Sequence, residues 1–345
     1  MKALLIGGSG FIGPYTAAML LKGGHQVTIF HRGKTHAPEG AEEIFGDRQF
    51  LQDHQIEFRR QKFDVVIDFV LSSGRQALQL MDTFRGITGR VVALSSMDVY
   101  RAWGVFHGFD SGGLQELPLT EESELRTSHN VYPPEALDRM RAAIYPWVDE
   151  EYDKIPVEQA VLSEPKLPGT VLRLPMIYGP GDPVHRFHPI LKRMDDGRKQ
   201  IIFADNDASM RTPREYVENV AAAITLAATS PQASGRTYNV CEQEFFSELE
   251  WAQKIAAATG WSGKFVVLPH DQTPKHLLWP GDTRQHIVAS SERIRKELGY
   301  RELVPREEAI RRTIDWQRAN PPAQPLAQFD YPAEDEASAQ FKATA

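Results

Sequence analysis

The chain has 345 residues, 41% hydrophobic and 25% charged, enough to bury a sizeable core as one large domain or one domain plus a smaller lobe. A formal net charge of −7 and a pI near 5.9 exclude a general polyanion-binding surface, and the single cysteine, Cys241, excludes an intrachain disulfide and fits a reducing compartment. No apolar run is long enough to span a membrane, and Met1-Lys2 leads straight into the first predicted strand without a signal peptide, so a cytoplasmic location is expected.

Residues 3–6 predict a short buried strand that runs into Gly7-Gly8-Ser9-Gly10-Phe11-Ile12-Gly13, and the apolar spacing that follows predicts a helix. Each glycine meets a different need. Gly7 lets the chain turn sharply, Gly10 lets a pyrophosphate approach a backbone that has no Cβ, and Gly13 lets the helix pack closely on the strand. Pro14 fits the first helical turn, where its missing donor costs nothing. The free N–H groups there face a phosphate, with Phe11 and Ile12 in the same turn as further candidate contacts. Gly23-Gly24 stop the helix and residues 25–30 predict a second strand, which is the context a dinucleotide turn requires.

The G-x-x-G-x-x-G spacing of GGSGFIG resembles the extended short-chain dehydrogenase/reductase family, which includes nucleotide-sugar epimerases and dehydratases. After the second strand come Arg32 and Lys34, with no carboxylate before Glu39. In dinucleotide folds an arginine about 20 positions beyond the glycines accommodates a 2′-phosphate, whereas an acid there holds the ribose hydroxyls, so NADP is expected over NAD. Residues 41–47 predict a third strand ending in Gly46-Asp47-Arg48, and the resemblance implies that Asp47 lies beside the adenine. A nearly unbroken apolar run over 63–70 suits a central parallel strand. A helix over 72–88 and a strand over 90–94 follow. This alternation predicts an α/β fold with right-handed crossovers, a Rossmann-type doubly wound parallel sheet.

The fifth strand ends in Ser95-Ser96-Met97-Asp98-Val99-Tyr100, where open α/β sheets place ligands. The string resembles the family's SSxxVY signature. That implies Ser95 beside the cofactor, Ser96 on the reacting hydroxyl or carbonyl, and Asp98 where dehydratases carry an acid or base. Residues 101–134 have no clear period and predict a loop over the site. Lys154 with Glu158 resembles the helix that carries the family's Y-x-x-x-K pair, which implies that Lys154 holds the cofactor ribose and lowers a phenol's pKa. Glu150 stands where that tyrosine belongs. Tyr152 is two residues from the lysine, which on a helix turns it about 200° away. Ser96, Lys154, Glu150 and Asp98 are therefore the catalytic candidates, with Glu150, Asp98 or a tyrosine of the 101–134 loop taking over proton transfer; Tyr132 receives no role.

A sixth strand over 169–175 leads into RLPMIYGPGD, which resembles the family segment that leaves the sheet for the substrate lobe and implies that Pro175 and Ile177 lie near the nicotinamide. His185 and His188, without a third ligand, predict no metal. Residues 210–220 resemble the family's RDxxYVxDV segment, whose arginine commonly meets a substrate phosphate, but the spacing to Tyr216 is one residue too long from Arg211 and too short from Arg214. Helices over 218–229, 247–260, 291–300 and 305–316 and a strand over 237–240 complete the chain. The expected division is a dinucleotide-binding Rossmann domain over 1–175, a substrate lobe over 176–318 with segments returning to the sheet, and a flexible tail over 319–345.

The resemblance implies a nicotinamide-dependent epimerase, dehydratase or reductase acting on a small sugar-like or carbonyl/hydroxyl molecule, and a homodimer. The alternative is a non-catalytic NADP-binding sensor or an RNA-binding protein, since members lacking the tyrosine resemble chloroplast stem-loop RNA-binding proteins. The acidic charge and the lack of interleaved aromatic and basic residues argue against nucleic acid.

Overall fold

Strand β1 (Lys2–Ile6), four of its five residues buried, lies inside a seven-stranded sheet whose neighbours are all parallel. The computed structural model describes residues 1–344. From β1 the chain passes through α1 (Gly13–Lys22) to β2 (Gln26–His31) and β3 (Glu42–Phe45) on one side. It then crosses back through α2 (Gln55–Gln61) to β4 (Val65–Asp68), α3 (Gly74–Phe84) and β5 (Arg90–Ser96) on the other. After α4 (Arg101–His107), α5 (Pro134–Ala143) and α6 (Lys154–Leu162), β6 (Gly169–Leu174) joins β5. The strand order therefore reverses between β1 and β4, the point outside which open α/β sheets bind ligands.

β7 (Met176–Tyr178), α7 (His188–Asp195), β8 (Gln200–Ala204), α8 (Asp205–Ser209), β9 (Arg214–Tyr216) and α9 (Val217–Thr229) follow, and β10 (Thr237–Asn239) returns to the sheet beside β6. α10 (Glu248–Thr259), β11 (Lys264–Leu268), α11 (Glu292–Leu298) and α12 (Arg306–Ala319) complete the lobe, in which β7 pairs with β9 and β8 with β11. Local signals explain the boundaries. Ser73 caps α3 by accepting from the Gln76 N–H, and Ser247 with Glu250 forms a reciprocal capping box on α10. One apolar core joins α1, α9 and α12 to the sheet, and a second joins α2, α3 and α6 to it, so both faces of the parallel strands are covered.

Two expectations are corrected. Residues 101–134 open with α4, and the rest of the segment is fastened to the C-terminal half: Leu119 N–H donates to Val288 O at 2.7 Å and Ser290 N–H to Leu119 O at 2.8 Å. The stretch expected to be a flexible tail contains α13 (Tyr331–Thr344), whose Glu334 is 1% exposed. Arg193 donates to Glu334 at 2.6 and 3.1 Å, and His276 lies 3.1 Å from the same carboxylate. Acidic composition suggested solvation; the lobe's cations supplied partners. Ala345, the last residue of that expected tail, lies outside the described residues. No helix among the described residues is long and apolar enough to cross a membrane.

Candidate functional site

A cavity of about 1220 Å³ opens at the strand-order reversal. Gly7, Gly10, Phe11, Ile12, Gly13, Arg32, Asp47, Ser95, Ser96, Glu150, Lys154 and Pro175 all line it; Asp98 does not. At the glycine end, Gly7 has φ +74°, and a Cβ there would meet Val70 Cγ1 at 2.5 Å. A Cβ on Gly10 would find no neighbour nearer than Gly7 O at 3.8 Å, so that position faces open space. A Cβ on Gly13 would lie 2.2 Å from Gly8 O, so close packing is needed here within the turn itself, not against the strand. α1 starts without a side-chain cap, which leaves its first N–H groups for an anion. These features fit the pyrophosphate of a dinucleotide.

On the far side of this end, Asp47 caps the next turn through the Gln49 N–H at 3.0 Å, and Arg48 is held by Asp68 at 2.9 and 3.1 Å. Arg32 is exposed at the rim. It shares the lining with both Lys34 and the Asp47 carboxylate, so charges of both signs border the same space.

At the carboxyl end of β5 the two serines differ. Ser95 is buried and its hydroxyl donates to Glu158 Oε1 at 2.5 Å, inside a network in which Glu158 also accepts from Arg173 at 2.7, 3.0 and 3.2 Å. Its side chain is thus committed to the protein. Ser96 is half-buried and accepts from the Asp98 N–H at 3.2 Å. Asp98 is buried behind it, and burial raises its carboxyl above the ordinary range against the opposing pull of Arg126 and Lys154.

α6 begins at Lys154 itself, with Asp153 as its cap accepting from the Ile155 N–H. The four-residue helical relation between position 150 and Lys154 therefore does not exist. Glu150 lies in a turn with its side chain 77% exposed, 3.9 Å from Arg75, which corrects the expectation that it shares the lysine's helix face. Freed from helical geometry, Tyr152 is buried and donates from its hydroxyl to Asp98 Oδ2 at 3.1 Å. Tyr132, from the 101–134 segment, donates to the same oxygen at 3.4 Å.

Lys154 Nζ donates to Leu71 O and, at 3.1 Å, to Leu94 O, and lies 5.7 Å from the centre of the Tyr152 ring. Burial lowers its pKa to about 8, although Asp98 and Asp68 oppose that shift. The segment before the helix is fastened to α3: Ser73 Oγ donates to Asp149 at 3.0 Å, Arg75 donates to it at 2.8 Å, and Asp149 N–H donates to Ser72 Oγ at 2.9 Å. Tyr145 and Trp147 on this segment line the remaining end of the cavity together with Pro183 and Arg186. Arg186 donates to Ile177 O at 2.8 Å and to Asp182 at 2.7 Å.

Residues 3–105 match the NAD dependent epimerase/dehydratase family model, and residues 157–250 match that of the 3-beta hydroxysteroid dehydrogenase/isomerase family. The chain has a Rossmann-type fold, and its residues 3–105 are similar to the NAD dependent epimerase/dehydratase family. It is 28% identical over 273 residues to a 2-alkyl-3-oxoalkanoate reductase of Stenotrophomonas maltophilia, covering 75% of this chain and 76% of that protein. Among solved structures it resembles dTDP-glucose 4,6-dehydratase from Bacillus anthracis in complex with NAD (TM-score 0.65, 16% identity, 93% of this chain and 97% of that one). It also resembles UDP-glucuronic acid 4-epimerase from Bacillus cereus in complex with UDP-glucuronic acid and NAD (TM-score 0.65, 17% identity, 92% and 99%).

Those two structures hold NAD, and the expectation of NADP is corrected accordingly. The physical reason is that Arg32 is exposed at the rim and the Asp47 carboxylate lines the same space, so the arginine does not by itself mark a 2′-phosphate site.

Two arginines fall elsewhere. Arg214 donates to Glu248 at 2.6 and 2.7 Å, Arg211 donates to Phe245 O at 2.8 Å, and neither lines the cavity. His185 stacks on Trp316 and His188 meets Phe329 edge-on; no metal-holding cluster occurs among the described residues. Sequence reasoning missed Tyr145, Trp147 and Arg186 and turned Tyr152 away from the site, while the tyrosine it allowed from the 101–134 segment is Tyr132. It had the means to place the start of α6, because Asp153 is a preferred cap and Pro156 falls in the first turn, where it forfeits no hydrogen bond.

Proposed function

We propose that this protein is an NAD-dependent oxidoreductase of the epimerase/dehydratase type, acting on a hydroxyl or carbonyl group of a small sugar-like molecule. One observation carries the reading: a single cavity joins the glycine cradle to Ser96 and Lys154. Its volume of about 1220 Å³ exceeds the roughly 300–1,000 Å³ of most small-ligand sites, leaving room for a second molecule beside a dinucleotide. Residues 1–175 hold the dinucleotide, with Gly10 and the start of α1 on the pyrophosphate and Lys154 on the ribose. Residues 176–318, together with the segment bearing Tyr145 and Trp147, hold the substrate. The bound nicotinamide supplies or accepts the hydride. Ser96 orients the reacting oxygen, and the apolar walls exclude water.

A second substrate reading is favoured by the lining at Tyr145, Trp147 and Pro183, and by the absence of Arg211 and Arg214 from it. A ketone with an apolar body, of the kind named in the Stenotrophomonas maltophilia reductase, suits such walls better than a nucleoside diphosphate. The test measures NAD and NADP affinities by calorimetry, then NADH oxidation or NAD reduction with nucleotide-linked sugars and with 2-alkyl-3-oxoalkanoates. Binding of NAD with turnover of either class supports the enzyme; binding without turnover of any supports a dinucleotide sensor. We also propose a homodimer through α3 and α6, where Leu78 and Leu162 are exposed; light scattering tests it.

A further inference from the structure

Hydride transfer to or from an alcohol carbon needs a partner for the oxygen's proton. Glu150 lies in solvent, and the chain instead converges two phenols on one buried carboxylate. Tyr152 and Tyr132 both donate to Asp98 Oδ2, at 3.1 and 3.4 Å, while Asp98 Oδ1 is buried without a partner. An orphaned, buried carboxylate oxygen is costly, and that cost falls when the group takes up a proton. Of these three side chains, Tyr152 alone lines the cavity, together with Ser96 and Lys154.

We propose that Tyr152 exchanges the proton with the substrate oxygen, and that Asp98 behind it is the proton store, so that a phenol outside the helix does the work of the one missing at position 150. This rests on the oxidoreductase reading above. When an alcohol is oxidised, its C–H departs as hydride to the nicotinamide and its O–H proton passes to the Tyr152 oxygen. Tyr152 passes its own proton to Asp98 Oδ2. The substrate loses two electrons and two hydrogens and becomes a carbonyl, Asp98 becomes a carboxylic acid, and Tyr152 ends as it began. Reduction runs the same transfers backwards.

The electrostatics suit a store. Asp98 is pushed up by burial, pulled down by Arg126 and Lys154 and by the Tyr152 hydrogen bond, and pushed up again by Asp153; Tyr132 faces it from the preceding segment. Tyr152 is itself pushed well above the ordinary phenol range, by burial first and then by Asp98, Tyr132 and Tyr145. A free phenolate is thereby disfavoured. A concerted hand-over through a neutral phenol avoids forming one.

The test compares wild type, Tyr152→Phe and Asp98→Asn. In the protein without ligands, infrared titration of the carboxyl C=O stretch should show a wild-type carboxylic acid band that is absent in Asp98→Asn. The midpoint of that band should move up in Tyr152→Phe, because the carboxylate loses a donor. With NAD and a turned-over substrate, Tyr152→Phe should lose roughly 10²- to 10⁴-fold in kcat while retaining NAD affinity. The dependence of rate on deuterium content should be curved in wild type, where two protons move, and linear in Asp98→Asn, a change that a merely structural aspartate would not produce. Should Tyr152→Phe fail to fold, the Asp98→Asn arm decides. Near-wild-type kcat in Tyr152→Phe, or an unchanged curved dependence in Asp98→Asn, overturns the relay and leaves the oxidoreductase reading standing. Wild-type protein that binds NAD but turns nothing over overturns the reading itself, and the relay with it.

Discussion

The two ends of the cavity are built by different rules. At the glycine end the contacts offered to a ligand come chiefly from the turn between Gly7 and Gly13, placed by one strand, one turn and one helix. At the lysine end they are side chains from the end of β5, the turn before α6 and the start of α6 itself, backed by the segment carrying Arg126 and Tyr132. A backbone cradle is written in local sequence because only chain geometry has to be right. A proton-transfer site depends on where distant segments meet.

The largest expected effect lies under the lysine end, in the ion pair that supports Ser95. Glu158→Ala would leave Arg173 buried without its carboxylate and should cost about 3–5 kcal/mol in denaturant unfolding. A loss below about 1 kcal/mol would mean that Tyr100 and the Glu121 carbonyl, which also accept from Arg173, suffice for it.

Next comes the glycine end. Gly10→Val should weaken NAD binding by at least about a hundredfold, or ~2.7 kcal/mol, while leaving the melting temperature near that of wild type, since the new side chain enters open space and not the core. Calorimetry and a thermal scan on the same sample check both halves. Unchanged affinity would remove the pyrophosphate from this turn.

A pH series separates the ends further. Lys154 titrates near 8 in the fold against 10.5 for a free lysine, so the unfolded chain holds more protons between those values. Stability from this group must therefore rise with pH from about 8 to 10.5, having been depressed below 8 by the buried charge. Lys154→Met should flatten that part of the unfolding free-energy profile; an unaltered slope would show that the ammonium is better solvated than its surroundings indicate.

The smallest effect belongs to Glu150→Gln. With its side chain in solvent at the rim, turnover should stay within about twofold of wild type. A large loss would return Glu150 to the chemistry and weaken the case for Tyr152.

The sequence by itself determined the parts whose physics is short-range. Buried strands, the glycine turn, the placement of Ser96 at a strand end and the Rossmann-type sheet all follow from periodicity and turn chemistry within a few residues. The start of α6 was legible too, in Asp153 and Pro156, yet assuming helix through position 150 set Tyr152 on the wrong face. Only the tertiary structure decided the rest. It turned Glu150 outward, brought Tyr132 and Tyr152 to one oxygen of Asp98, gave Glu334 the buried partner Arg193, and set Asp47 in the same space as Arg32. Each of these depends on which charges and phenols share a desolvated space, and desolvation is a property of packed neighbours far apart in the chain, which no local pattern encodes.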